Sequence, residues 1–162
     1  MHIPDGFLDG KTLALTGALA AGGLAVAARQ VNRTLPRNKI PLMGLGAAFV
    51  FAAQMLNFPV AGGTSGHLLG GVLVAALLGP AAGVVVLTTV LIVQCFLFAD
   101  GGVTALGANV FNIYADLNVM AASAKMLFGG AFALWLALLA GVTVTAQVFV
   151  PYHLYVRILR WL

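Results

Sequence analysis

The chain has 162 residues, of which 62% are hydrophobic and only 7% charged, with a mean hydropathy of +1.06. An ordinary soluble domain carries about 25% Asp, Glu, Lys and Arg, so these charges are too few to coat a water-facing globule and the bilayer is the expected solvent. Eight Lys and Arg against four Asp and Glu give a net charge of +4, too sparse for a nucleic-acid-binding face, which needs a dense basic patch.

Each membrane-crossing helix needs about 20 residues. Several spans therefore use up the length, and residues 1–162 are read as one membrane domain with no separate soluble catalytic unit. The opening MHIPDGFLDG carries Asp5 and Asp9 where a secretory leader would be basic, so cleavage is not expected. Methionine removal normally requires a small second residue. His2 is large, and Met1 is expected to remain.

Thr12 to Ala28 reads as a first helix, in which Gly17, Ala18, Ala21, Gly22, Gly23 and Ala25 permit close helix approach. It ends at Arg29. Arg33, Arg37 and Lys39 follow, and the 60 residues from Ile40 to Ala99 then hold no Asp, Glu, Lys or Arg. Within that run, Ile40 to Leu56 is a helix. Asn57 to His67 is a loop, broken by Pro59 and the glycines at 62, 63 and 66. Leu68 to Leu78 resumes a helix, Gly79-Pro80 turns, and Ala81 to Ala99 crosses again before Asp100-Gly101-Gly102. Leu106 to Leu117 is apolar but interrupted by Asn109, Asn112 and Asp116. Met126 to Val150 is a further span, and Pro151 to Leu162 a short helix-like tail. The expected fold is all-α, a polytopic transmembrane bundle of about six membrane helices.

Orientation follows from Arg29, Arg33, Arg37 and Lys39, which the positive-inside rule assigns to the cytoplasm. With one crossing per helix, residues 1–11, 57–67 and 100–102 face outside and Gly79-Pro80 faces inside. The N-terminus and His67 then share the outer face of a multi-pass cell-membrane protein.

Met1-His2 is a chelator in principle. The Met1 α-amine, the His2 amide nitrogen and the His2 Nδ1 close a five-membered and a six-membered ring around one ion. One equatorial position stays empty, and His67 on the same face would complete a four-nitrogen plane. That geometry suits Ni(II), Cu(II) or low-spin Co(II), whereas Zn(II) prefers a tetrahedron. His67 has an alternative role, hydrogen-bonding a carbonyl at a helix start. The stretch 62–67, GGTSGH, lacks the lysine of a phosphate loop. Its glycines instead let backbone approach an ion, with Thr64 or Ser65 in outer support. Asp5 suits the same outer role, or a helix cap or solvated turn. Cys95 has no cysteine partner and is read as an inert buried thiol, and His153 beside Tyr152 as interfacial. Two rival readings remain: an intramembrane enzyme clustering Asp100, Asp116 and the histidines, and a structural scaffold that leaves Met1, His2 and His67 without a role.

Three stretches, MHIPDGFL at the start, AQMLNFPVAGGTSGHLLGG at 53–71 and LIVQCFLFADGGVTALGANVFNI at 91–113, closely resemble the CbiM/NikM-type substrate-capture membrane subunit of cobalt and nickel energy-coupling-factor transporters. The resemblance covers roughly residues 1–113, in order. It implies that Met1, His2 and His67 hold the ion. It also implies capture of Co(II), or alternatively Ni(II), as cargo rather than cofactor, supplying cobalamin biosynthesis. The chain would not be an enzyme. Its implied partners are a small membrane accessory subunit, a transmembrane coupling subunit and a pair of cytoplasmic ATPases that hydrolyse the ATP.

Overall fold

The computed structural model describes residues 2–60, 64–68 and 70–114. Met1, Asp116, the expected span Met126 to Val150, the expected tail Pro151 to Leu162 and His153 therefore lie outside the described residues.

The first helix, α1, spans Gly10–Thr34, longer at both ends than the hydropathy pattern suggests. Asp9 starts it, its carboxylate accepting from the backbone N–H of Lys11 and Thr12 and from the Thr12 hydroxyl, as an N-cap aspartate does. Arg29 and Arg33 ride on its final turns instead of lying in a loop. A charge does not break a helix. The stop comes at Leu35, held extended ahead of Pro36. A 3-10 turn at Arg37–Lys39 leads into α2, Ile40–Gln54, with Pro41 in its first turn, where its missing N–H costs no helical bond.

The segment expected to be an irregular loop contains a two-stranded antiparallel hairpin, β1 (Phe58–Val60) and β2 (Thr64–Gly66), with Phe58 opposite Gly66 and Pro59 opposite Ser65. Both strands of such a ribbon are edges, where proline is tolerated. Apart from this hairpin, the described chain is helical, as expected.

Gly70, at φ +72°, turns the chain into α3, Gly71–Leu78. A Cβ at Gly70 would collide with the Val50 side chain, so glycine is required there both for its φ and for the approach to α2. Gly79, at φ +92°, then joins α3 to α4, Pro80–Phe98. The 8 residues of α3 rise about 12 Å, well short of a hydrocarbon core about 30 Å thick. Among the described residues, only α1 and α4 are long and apolar enough to cross.

Helix α4 is the hub. Val84, Val86, Leu87, Val90 and Leu91 are all buried, and α1, α2 and α3 pack around it. The α1 face that approaches it is small, with Thr16, Ala20 and Ala27 buried. A turn with Ala99 at φ +52° and Gly101 at φ +103° ends α4. Residues 106–114 then form a further helix, α5.

Candidate metal-binding site

The site is built where the amino-terminal segment enters the end of the bundle marked by the last turns of α4. Ile3 is fixed there by its backbone: the Gly102 N–H donates to its carbonyl at 2.9 Å, and its own N–H donates to Asn109 Oδ1 at 2.9 Å. His2 is thereby carried inward until its side chain is only 8% exposed. It lies against Gly101, where a Cβ would come within 2.9 Å of the His2 Cβ.

His2 Nε2 is 2.9 Å from Gln94 Oε1, and Gln94 Nε2 donates to Gln54 Oε1 at 2.9 Å. Gln94, on α4, and Gln54, the last residue of α2, are both buried. The chain of bonds has a direction. Because the Gln94 amide nitrogen is engaged by Gln54, its oxygen faces the imidazole, so His2 donates from Nε2 and the lone pair sits on Nδ1. Nδ1 is the atom that the chelate requires.

His67 follows β2 and is buried. Its ring centroid is 6.0 Å from that of His2, with the planes at 63°. The carbonyl bond left as an alternative role is present, Nδ1 to the Leu68 oxygen at 3.0 Å. A ring donating from Nδ1 carries its lone pair on Nε2. With metal–imidazole nitrogen bonds of about 2 Å, two neighbouring corners of a square plane call for ring centres closer than 6.0 Å, so the two rings would close in on an ion they shared.

Burial pushes the His2 ring down to about 4, the positive chain terminus adding to it against the opposing pull of Asp100. Burial likewise lowers His67. Both imidazoles are therefore neutral near pH 7 and need shed no proton to bind a cation.

Asp100 joins the histidines, its Oδ2 3.8 Å from His2 Nε2. Asp5 sits one step away, its carboxylate accepting from Val103 N–H at 3.1 Å, Thr104 N–H at 2.8 Å and the Thr104 hydroxyl. Those bonds, the Thr104 hydroxyl foremost, hold its carboxyl below the usual range. Thr64 and Ser65 lie in β2, just before His67. Among the described residues no three His, Cys, Asp or Glu side chains form a metal cluster. Gln54, Gln94 and Asn109 were not foreseen as site residues. Their signal was visible: carboxamides inside otherwise apolar helices.

Residues 2–155 match the family model described as the cobalt uptake substrate-specific transmembrane region, CbiM. The chain belongs to the CbiM family. An Archaeoglobus fulgidus protein named as a fused nickel transport protein, NikMN, is 50% identical over 119 residues, 74% of this chain and 39% of that one. A cobalt transport protein CbiM of Geobacter sulfurreducens is 40% identical over 117 residues, 70% of this chain and 34% of that one. This CbiM-family chain thus spans well under half of either relative. A crystal structure of a truncated transition metal transporter superposes with a TM-score of 0.74 at 37% identity, over 87% of this chain and 70% of that one.

Proposed function

We infer that this chain is the capture component of an ATP-driven cobalt uptake transporter in the cell membrane, taking Co(II) from the outer face. The Met1 α-amine, the His2 amide nitrogen and Nδ1, and the His67 imidazole supply four nitrogens around the ion. The observation that carries this reading is the juxtaposition of His2 and His67, with rings 6.0 Å apart and Nδ1 of His2 left as the acceptor by Gln94. Asp5, Thr64 and Ser65 support the ligands from outside the donor set. Residues 2, 67 and 100 lie together at one end of the bundle, which supports one exposed face for residues 1–11, 57–67 and 100–102. About six membrane helices complete the domain.

Nickel is the second reading, supported by the nickel transport name of the relative at 50% identity. Four nitrogens accept either ion, and the Irving–Williams order favours nickel on affinity. The chain hydrolyses no ATP itself under this reading. A small membrane accessory subunit, a transmembrane coupling subunit and a pair of cytoplasmic ATPases supply the energy, and the captured cobalt feeds cobalamin biosynthesis.

The test is metal analysis of purified protein. His67→Ala removes one of the four nitrogens and is expected to lower Co(II) and Ni(II) affinity at least 10-fold to 100-fold, the loss that even an outer support incurs, with membrane insertion intact. Unchanged metal content would leave His67 a purely structural residue.

A further inference from the structure

Asn109 stands in the first turn of α5 and is 6% exposed. Its carboxamide makes two bonds to a single residue: Oδ1 accepts from the Ile3 N–H at 2.9 Å, and Nδ2 donates to the Ile3 carbonyl at 3.2 Å. A primary amide offers acceptor and donor side by side. That is the pairing a neighbouring strand would offer, so Ile3 is gripped as though in a sheet although no strand is there. The Gly102 N–H adds a third bond, to the same carbonyl. Two residues on, Asp5 binds Val103 and Thr104 in the turn that opens α5. Both grips belong to the segment 102–109, and both act on the five residues at the start of the chain.

The Ile3 N–H is half of the peptide unit that follows His2. Fixing it limits rotation about the His2 backbone, and with it the directions of the His2 nitrogen and imidazole. A chelate made of backbone and terminal nitrogens has no scaffold of its own, unlike one made of side chains on helices. Its preorganisation has to come from whatever clamps the segment.

We propose that Asn109 is a positioning residue for metal capture, acting through Ile3 without touching the ion, with Asp5 on the 103–104 turn as the second point of the same clamp. This rests on the amino-terminal chelate inferred above.

The test titrates purified wild-type, Asn109→Ala, Asn109→Asp and Asp5→Asn proteins with Ni(II), following the ligand-field absorption band and the hydrogen exchange of the Ile3 amide. Asn109→Ala keeps all four nitrogens. At saturation it should show the wild-type band, with affinity about 10-fold to 100-fold lower and faster Ile3 exchange. Asn109→Asp keeps the acceptor, loses the donor and falls between. Asp5 is exposed, so Asp5→Asn folds regardless and should weaken binding in the same direction by less. Wild-type affinity in Asn109→Ala despite faster Ile3 exchange would overturn the proposal while leaving the chelate standing. If Asn109→Ala does not fold, wild-type affinity in Asp5→Asn overturns it instead. An altered band in Asn109→Ala would make Asn109 a ligand and equally end its positioning role. A wild-type protein without a four-nitrogen band would overturn the chelate itself, a separate failure visible before any variant is compared.

Discussion

The side chain of His2 ties the amino-terminal segment both to His67, just past the hairpin, and to the Gln94 carboxamide of α4. Its ring, lowered from 6.5 to about 4, binds fewer protons docked than undocked between those values. Docking of the amino-terminal segment is thus fully stable above 6.5 and weakens as pH falls from 6.5 towards 4. Asp5 adds to this only lower down, since its carboxyl protonates below the ordinary carboxylate value. In metal-free protein, Ile3 amide protection, corrected for intrinsic exchange, should be flat from pH 8 to 6.5 and then fall by up to about two orders of magnitude, at tenfold per pKa unit. Protection that stayed constant down to pH 4 would contradict the buried neutral ring. Chelate geometry singles out Met1, His2 and His67 in the sequence, and the structure brings the rings of His2 and His67 together. Gln94 and Asn109 were not assigned roles, because a lone amide in an apolar helix does not announce which distant group it meets. Gln94 meets a residue 92 positions away, and Asn109 one 106 positions away.

At the level of elements, the clamp depends on α5 lying hard against α1. A Cβ at Gly107 would come within 2.6 Å of the Gly17 Cα, backbone that cannot yield, whereas a Cβ at Gly17 meets nothing within 4 Å. The two glycines share one crossing but are not equivalent. Gly107→Ala should lower stability by about 1–3 kcal/mol, as overpacking does, and weaken metal binding by displacing Asn109. Gly17→Ala should be tolerated. Thermal unfolding in detergent checks this, and equal effects would mean that the crossing is looser than described. The helices themselves were largely legible from hydropathy and punctuation, since Gly79-Pro80 and Asp100-Gly101-Gly102 separate the elements as expected. Boundaries set by single hydrogen bonds or dihedrals were not. Asp9 moves the start of α1 to Gly10, and Gly70 delays α3 to Gly71. The hairpin was hidden because its glycines and proline carry turn signals stronger than the strand propensity of three-residue arms.

For the whole molecule, the polar end formed by residues 2–5, 67 and 100–104 and the basic stretch Arg29 to Lys39 lie at opposite ends of α1, whose 25 residues rise about 37 Å. Cysteine labelling in a Cys95-free background should find residues 9 and 64 reactive from outside and residue 37 from the cytoplasm. Labelling of 9 and 64 only from the cytoplasm would place the capture site on the wrong side for uptake. In the proposed site the Met1 α-amine is the donor that no side chain replaces, so blocking it removes one ligand and spares the rest of the molecule. A variant acetylated at its amino terminus keeps every side chain in place but takes the α-amine out of the donor set. Calorimetric titration of Co(II) and Ni(II) into this variant is the decisive measurement. Tight binding with proton release is expected for the native chain, since the amine and the amide must be deprotonated by the metal, and loss of that binding in the variant. Equal affinity and equal proton release in both proteins would contradict the amino-terminal chelate.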